Sequence, residues 1–424
     1  MGIPSPSDEV VQIVHGDSAG DPTVVTVSCP DKTGLGCDLC RLVLLFGLNV
    51  LKGDMSTDGR WCYIVLWVAA SRRGRPPVAW DLLKERLVDL CPVPAPFGVD
   101  SAYLAAAGLQ EPAGEPQVFL LKFCCYDRMG LLHDVTCVLC EMELTIRRVK
   151  VSTTPDGRVM DLFFITDARE LLHTKSRREE AYEKLQSVLG DSVTSCEIES
   201  ATEDMSSCLQ ASALLSPLVL EQMFSEVDVI EEQSSRSRSD SRLSVTMDNS
   251  LSPAHTLIQI QCGDHKGLLY DIMRTVKDCN IQISYGRFYA GQKGRCEVDL
   301  FAVQSDGKKI LDQQKQRTMC SRLRTELLRP LRVALVNRGP DAELLVANPV
   351  EVSGKGRPLV FYDITLALKN LHRRVFLVMK SCVHHVHSYL TTTHLALIDQ
   401  LFIDITKHFF DEWSVGRDWK ACGG

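Results

Sequence analysis

Alternate positions are apolar in three separated stretches of the chain: Val25, Val27 and Cys29; Leu121, Phe123 and Cys125; Ile258, Ile260 and Cys262. Period-two alternation predicts a strand with one buried face. Each stretch runs into a short polar loop, CPDKTG (29–34), CYDRMG (125–130) or CGDHKG (262–267). Beyond Gly34, Gly130 and Gly267 the period lengthens. Leu35, Leu39, Val43 and Phe46 draw an apolar stripe in steps of three and four. So do Leu131, Val135, Leu139 and Met142, and then Leu268, Ile272, Val276 and Cys279. That spacing predicts an amphipathic helix after each glycine.

The registers continue to match downstream. A second strand is expected from Val50, Ile146 and Ile283, and further glycines follow at Gly59, Gly157 and Gly294. Asp58-Gly59 and Asp156-Gly157 favour tight hairpins, because such turns need positive φ. Third strands read WCYIVLWV (61–68), VMDLFFIT (159–166) and CEVDLFAV (296–303). Second helices are expected over 80–90, 177–189 and 311–328, and last strands near 102–105, 194–198 and 331–336. Each copy is thus strand–helix–strand–strand–helix–strand, the ferredoxin-like order, an antiparallel sheet backed by two helices. The chain is expected to be α+β, with three complete copies at 22–107, 117–200 and 256–338.

A fourth copy, 342–378, starts and is expected not to finish. VFYDI (360–364) matches LLYDI (268–272), yet Leu359 stands where the glycine should be. The hairpin and third strand are not expected after 375–378, so 379–424 reads as an irregular tail. Residues 1–21 read as an N-terminal tail and 201–255 as a Ser-rich, acidic linker whose composition cannot bury a core. Within that linker Arg236 and Arg238 precede Ser239 and Ser241 at basophilic-kinase spacing, which makes the two serines phosphorylation candidates.

Composition narrows the function. Across 424 residues, 45% apolar and 24% charged content is ordinary for a globular protein, and a net charge of −7 argues against a general nucleic-acid binder. No apolar run of about 18 residues predicts a membrane span. The start, MGIPSPSDEV, has neither the basic region nor the apolar core of a secretory signal. The 17 cysteines are therefore expected as free thiols in a reducing compartment, the cytoplasm with the nucleus as a second location. Cys37/Cys40 and Cys137/Cys140 are CxxC pairs without a second pair at zinc spacing, and His384, His385 and His387 lack further ligands. Neither a metal nor a cofactor is expected. No phosphate-loop, H-E-x-x-H or G-x-S-x-G motif occurs, so the chain is not expected to be an enzyme.

The D-x-x-G loop between first strand and first helix, inside this element order, resembles the ACT domain. Three registered copies without a catalytic module are similar to the plant ACT-domain-repeat proteins, and the resemblance covers roughly residues 22–378. It implies tandem ACT-type domains that bind amino acids or similar small metabolites where the first loop meets the second strand, often across two paired domains. Carried over, the site residues are Asp31, Gly34, Leu35 and Asn49; Asp127, Gly130, Leu131 and Thr145; Asp264, Gly267, Leu268 and Gln282.

Elementary chemistry points the same way. A glycine admits a ligand to the backbone, and the following helix offers free amides and a positive dipole end to a carboxylate. The plainer reading is that the glycines only permit a turn and the aspartates only cap it. Asp38, Asp134 and Asp271, four residues after each glycine, are explained as first-turn acidic residues favourable to the dipole.

The function expected is a non-catalytic regulator that binds a free amino acid and signals to a protein partner or to a second copy of itself. The alternative is an interaction scaffold whose repeats pair domains without a ligand. A third reading makes Cys29, Cys125 and Cys262 redox sensors, against which stands their place on the inward side of the first strand.

Overall fold

The computed structural model describes residues 9–18, 20–70, 77–92, 117–154, 156–167, 169–190, 193–201, 243–291, 294–338, 341–349, 356–371, 375–385 and 396–406. The chain divides into two compact units that alternate along the sequence: residues 1–103 with 226–330, and 104–225 with 331–422. The first unit holds copies 1 and 3; the second holds copies 2 and 4.

In chain order the first copy comprises β1 (Val11–Val14), β2 (Thr23–Pro30), α1 (Leu35–Leu45), β3 (Leu48–Thr57), β4 (Trp61–Ala70) and α2 (Trp80–Leu90). The second comprises β5 (Phe119–Tyr126), α3 (Leu131–Glu141), β6 (Leu144–Thr153), β7 (Arg158–Asp167), α4 (Lys175–Leu189) and β8 (Val193–Ser200). The third comprises β9 (Ser244–Asp248), β10 (Thr256–Gly263), α5 (Leu268–Asp278), β11 (Ile281–Gly291), β12 (Arg295–Gln304) and α6 (Gln313–Leu328). The fourth comprises β13 (Arg332–Arg338), β14 (Asp341–Pro349), α7 (Val360–Asn370), β15 (Val375–His385) and β16 (Ala396–Thr406).

Each unit has one eight-stranded sheet, ordered β1-β2-β4-β3-β11-β12-β10-β9 in the first and β13-β14-β16-β15-β6-β7-β5-β8 in the second. Two copies lie side by side in each. They join through antiparallel pairing of β3 with β11, Asp54 opposite Arg287, and of β6 with β15, Val151 opposite Val378. The first helices pack together across the same junction, α1 against α5 and α3 against α7. One apolar core therefore runs through both copies of a unit, with Val27, Leu39, Ile260 and Ile272 in one cluster and Phe123, Val135, Ile364 and Leu368 in the other.

The edge strands differ from the sequence expectation. Only copy 2 uses its own last strand, β8, beside its first strand. In copies 1, 3 and 4 that place is taken by a strand that precedes the copy: β1, β9 and β13, each antiparallel to its neighbour. Residues 11–14 and 244–248 are thus strands, where a tail and a linker were expected. The strand expected to finish copy 3 near 331–336 exists as β13, but it belongs to copy 4 in the other unit. The strand expected near 102–105 lies outside the described residues. The reason is geometric: a strand arriving by a hairpin from the N-terminal side runs antiparallel to the first strand just as a final strand does. Either satisfies the edge, and periodicity does not distinguish them.

Copy 4 also goes further than expected. Its second strand continues to His385 and pairs with β16 inside the presumed irregular tail, Val378 opposite Ile403. Among the described residues no second helix follows.

Candidate functional site

The loop glycines are first of all turn residues. Gly34, Gly130 and Gly267 have φ of 82°, 77° and 79° with ψ near zero. The amide of the next residue donates back to Lys32, Arg128 or His265 at 3.0–3.1 Å. That is a type II turn, whose third position needs positive φ. Leu359 adopts the same conformation in copy 4, at φ 65°, with the strain a Cβ brings there. The N-cap of each of these helices is the glycine itself, which has no side chain to cap with. Asp31 instead accepts from the Thr57 hydroxyl at 2.6 Å, tying its loop to the end of β3.

What lies over each glycine differs between copies. Lys277, in the last turn of α5, crosses the copy junction to Gly34, where an added Cβ would meet its Cε at 2.7 Å, and its ammonium stands 3.6 Å from Asp38. Lys369, in the last turn of α7, lies over Gly130 in the same way, with its ammonium 2.7 Å from Asp134. Both lysines stand ten residues beyond the N-cap of their own helix. At that register α1 carries Leu44, facing loop 3, and α3 carries Cys140. Loop 3 is therefore the one of the four first-helix starts, one per copy, that combines a glycine with a neutral residue opposite.

Loop 3 opens on a cleft between copies 1 and 3. Asp264, Gly267 and Leu268 line it from one copy, and Asn49 lines it from the other. The Asn49 Oδ1 is buried and has no hydrogen-bond partner. Val43, Leu44, Val50, Leu269 and Phe288 supply an apolar wall. His265 Nε2 sits 3.0 Å from Asp271, which is buried in the first turn of α5.

A second cleft lies in the other unit. Asp127, Gly130 and Leu131 line it together with Arg128, Asp161 and Lys369. Asp161 was not singled out in the sequence. Five expected site residues fall outside both clefts. Thr145 and Gln282 are exposed on their strands. Asp31, Gly34 and Leu35 line neither, Leu35 being core and Gly34 covered. Ser239, Ser241 and His387 lie outside the described residues, and among those described no group of three or more His, Cys, Asp or Glu is placed to hold a metal. No helix among them is long and apolar enough to cross a membrane.

Cys29, Cys125 and Cys262 are all buried. Burial pushes the Cys125 and Cys262 thiols up to about 12. The Cys29 thiol is raised chiefly by its contact with Cys62, Sγ to Sγ 3.6 Å. These three are expected to react with an aromatic disulfide reagent at neutral pH only as fast as the fold opens. Mass spectrometry of partly labelled native protein checks this, with label on Cys124 ahead of these three.

Four family models match in succession. The N-terminal domain of ACT domain-containing protein ACR10 matches residues 13–92, and the general ACT domain matches 119–181. The ACR9-like, ACT-like domain matches 244–341 and the ACR9 C-terminal domain 342–388. ACT domain-containing protein ACR10 of Arabidopsis thaliana is 56% identical over 371 residues, 87% of this chain and 88% of that one. The chain belongs to the ACT-domain-repeat family. ACT domain-containing protein ACR9 of the same plant is 52% identical over 87% of each chain. ACT domains generally bind amino acids and serve regulation. In this ACT-repeat chain the loop-3 cleft lies where the first loop of copy 3 meets the second strand of copy 1.

Proposed function

We propose that this protein is a non-catalytic regulator that takes a free amino acid in the cleft between copies 1 and 3 and presents the occupied form to a protein partner. The observation that carries this reading is the unpartnered Asn49 Oδ1 beside the start of α5. An ammonium group donates to that oxygen, while a carboxylate takes the free amides and dipole end of α5. The wall of Val43, Leu44, Val50 and Phe288 selects an aliphatic side chain. A ligand touching both copies favours their paired form by its differential affinity for that form.

Thermal unfolding of the full chain against the proteinogenic amino acids tests it. At ~100 times Kd, one site adds about 2.7 kcal/mol. Aliphatic amino acids are expected to raise the melting temperature, and Gly267→Asp is expected to remove the response by placing a carboxylate where the ligand's own would lie. Leu44→Lys should remove it as well, reproducing over Gly267 the lysine seen over Gly34 and Gly130. No response from any amino acid in the wild-type chain sinks the reading.

The scaffold alternative draws on those same lysines. Lys277 and Lys369 occupy the space over two of the loops, so the copies pair there with nothing bound. It predicts partner binding indifferent to amino acids and to Gly267→Asp.

A further inference from the structure

Along β7 the inward positions are Val159, Asp161, Phe163 and Ile165. Asp161 stands opposite Phe123 on β5. The same register position is Ile64 in copy 1, opposite Val27, and Val298 in copy 3, opposite Ile260. Two copies thus place an aliphatic side chain in the core where copy 2 places a carboxylate.

Asp161 is 1% exposed, and neither carboxylate oxygen has a hydrogen-bond partner. The Ser152 amide gives it a polar neighbour but no bond of ordinary geometry. Thr153, on the adjoining strand, has a buried hydroxyl in the same condition. Both residues line the second cleft, beneath loop 2. A buried, unpartnered carboxylate costs stability in proportion to its desolvation, and a fold retains one where something else completes it.

The groups around it do not supply that completion. Arg128 and Lys369 are the cations of the cleft, and both are engaged by Asp134, at 2.6 and 2.7 Å. His133, from α3, is held below its ordinary value, first by burial and then by Lys369, and bonds Thr365 at 3.2 Å. Asp127 in the loop is a further negative charge, and burial followed by Asp127's field raises the Asp161 carboxyl well above the usual range. Cys125, from β5, is a neutral thiol raised to about 12. A cation with hydrogen-bond donors would complete the Asp161 carboxylate.

We propose that Asp161 and Thr153 form a second binding site, within copy 2, for a small molecule bearing a primary ammonium group. Three N–H donors match two carboxylate oxygens and one hydroxyl oxygen. The site is chemically unlike the copy 1–copy 3 cleft, whose acceptor is a neutral amide, and it stands whether or not that cleft binds anything.

The test is thermal unfolding of the full chain at slightly alkaline pH with methylammonium or ethylammonium chloride, against equal concentrations of sodium, potassium or magnesium chloride. The wild-type chain should gain several degrees from at least one ammonium probe relative to the salts, and Asp161→Asn should gain nothing. Asp161→Val, with the side chain copy 3 has there, serves if the amide variant fails to fold. Gly267→Asp should keep the response, which separates this site from the other cleft. Equal gains in wild type and in the Asp161 variants, an equal gain from a metal chloride, or no gain in the wild type would each overturn the proposal.

Discussion

Replacing Arg274 with alanine is expected to cost the copy 1–copy 3 unit about 3–5 kcal/mol, the range for removing one member of a buried charged cluster. Arg274 lies on α5 and is 2% exposed. It bonds Glu326 of α6 and stands 3.7 Å from Asp278, so it ties the two helices of copy 3 together beneath the sheet. Alanine leaves both carboxylates behind in low dielectric. Asp278 keeps Arg322 at 3.3 Å, and Glu326, itself buried, loses the guanidinium beside it. Urea unfolding followed by tryptophan fluorescence checks the figure, since Trp61, Trp67 and Trp80 all lie in this unit. The midpoint should fall with little change in slope. The triple change Arg274→Met, Asp278→Leu, Glu326→Leu should recover most of the loss, because it removes the charges along with their partner. Failure of Arg274→Ala to destabilise would mean that water reaches the cluster.

The opposite sign is expected at Asp161. Asp161→Val should stabilise the other unit by about 1–3 kcal/mol near neutral pH, the usual cost of burying an unpaired polar group. Its pH dependence identifies the cause. The folded state holds the Asp161 proton to higher pH than the unfolded chain, which releases it near ~3.9. Wild-type stability from this group is therefore intact below that pH and declines as pH rises towards the folded-state value. The gap between variant and wild type should be small in acid and widen on going to neutral pH. A gap independent of pH would assign the effect to packing alone. The gain in stability is expected alongside loss of the ammonium response, as when a binding group is kept at the expense of the fold.

Much of the architecture was legible because three copies repeat in register, and a type II turn can be recognised from one glycine between two different hydrophobic periods. The helix expected from Trp80 is α2, and the register placed Leu359 where the other copies have their glycine. Partnership was not. Nothing in periodicity tells copy 1 to pair with copy 3 across copy 2, because the residues that join β3 to β11 do so through backbone bonds that any side chain permits. The lysines over Gly34 and Gly130 were visible as letters, but their meaning depends on that pairing. Asn49 was found as a polar residue among apolar neighbours. Asp161 carried the same signal more strongly, a charge at an inward strand position where the other copies have Ile64 and Val298.

The alternation of the two units along the chain also has a consequence in time. β3 ends at Thr57, and the strand that completes its sheet begins at Ile281, roughly 220 residues later. At ~5–20 residues per second of synthesis, copy 1 waits about 10–45 s with that edge open. During this interval its β3 backbone is a template for any other nascent chain, and charged side chains on an edge are what discourage such pairing. Lys52 and Asp54 stand on that edge. In the finished protein they neighbour β11, and Asp54 meets Arg287 at 3.3 Å. On the ribosome, before Arg287 exists, the same two charges guard the half-built sheet.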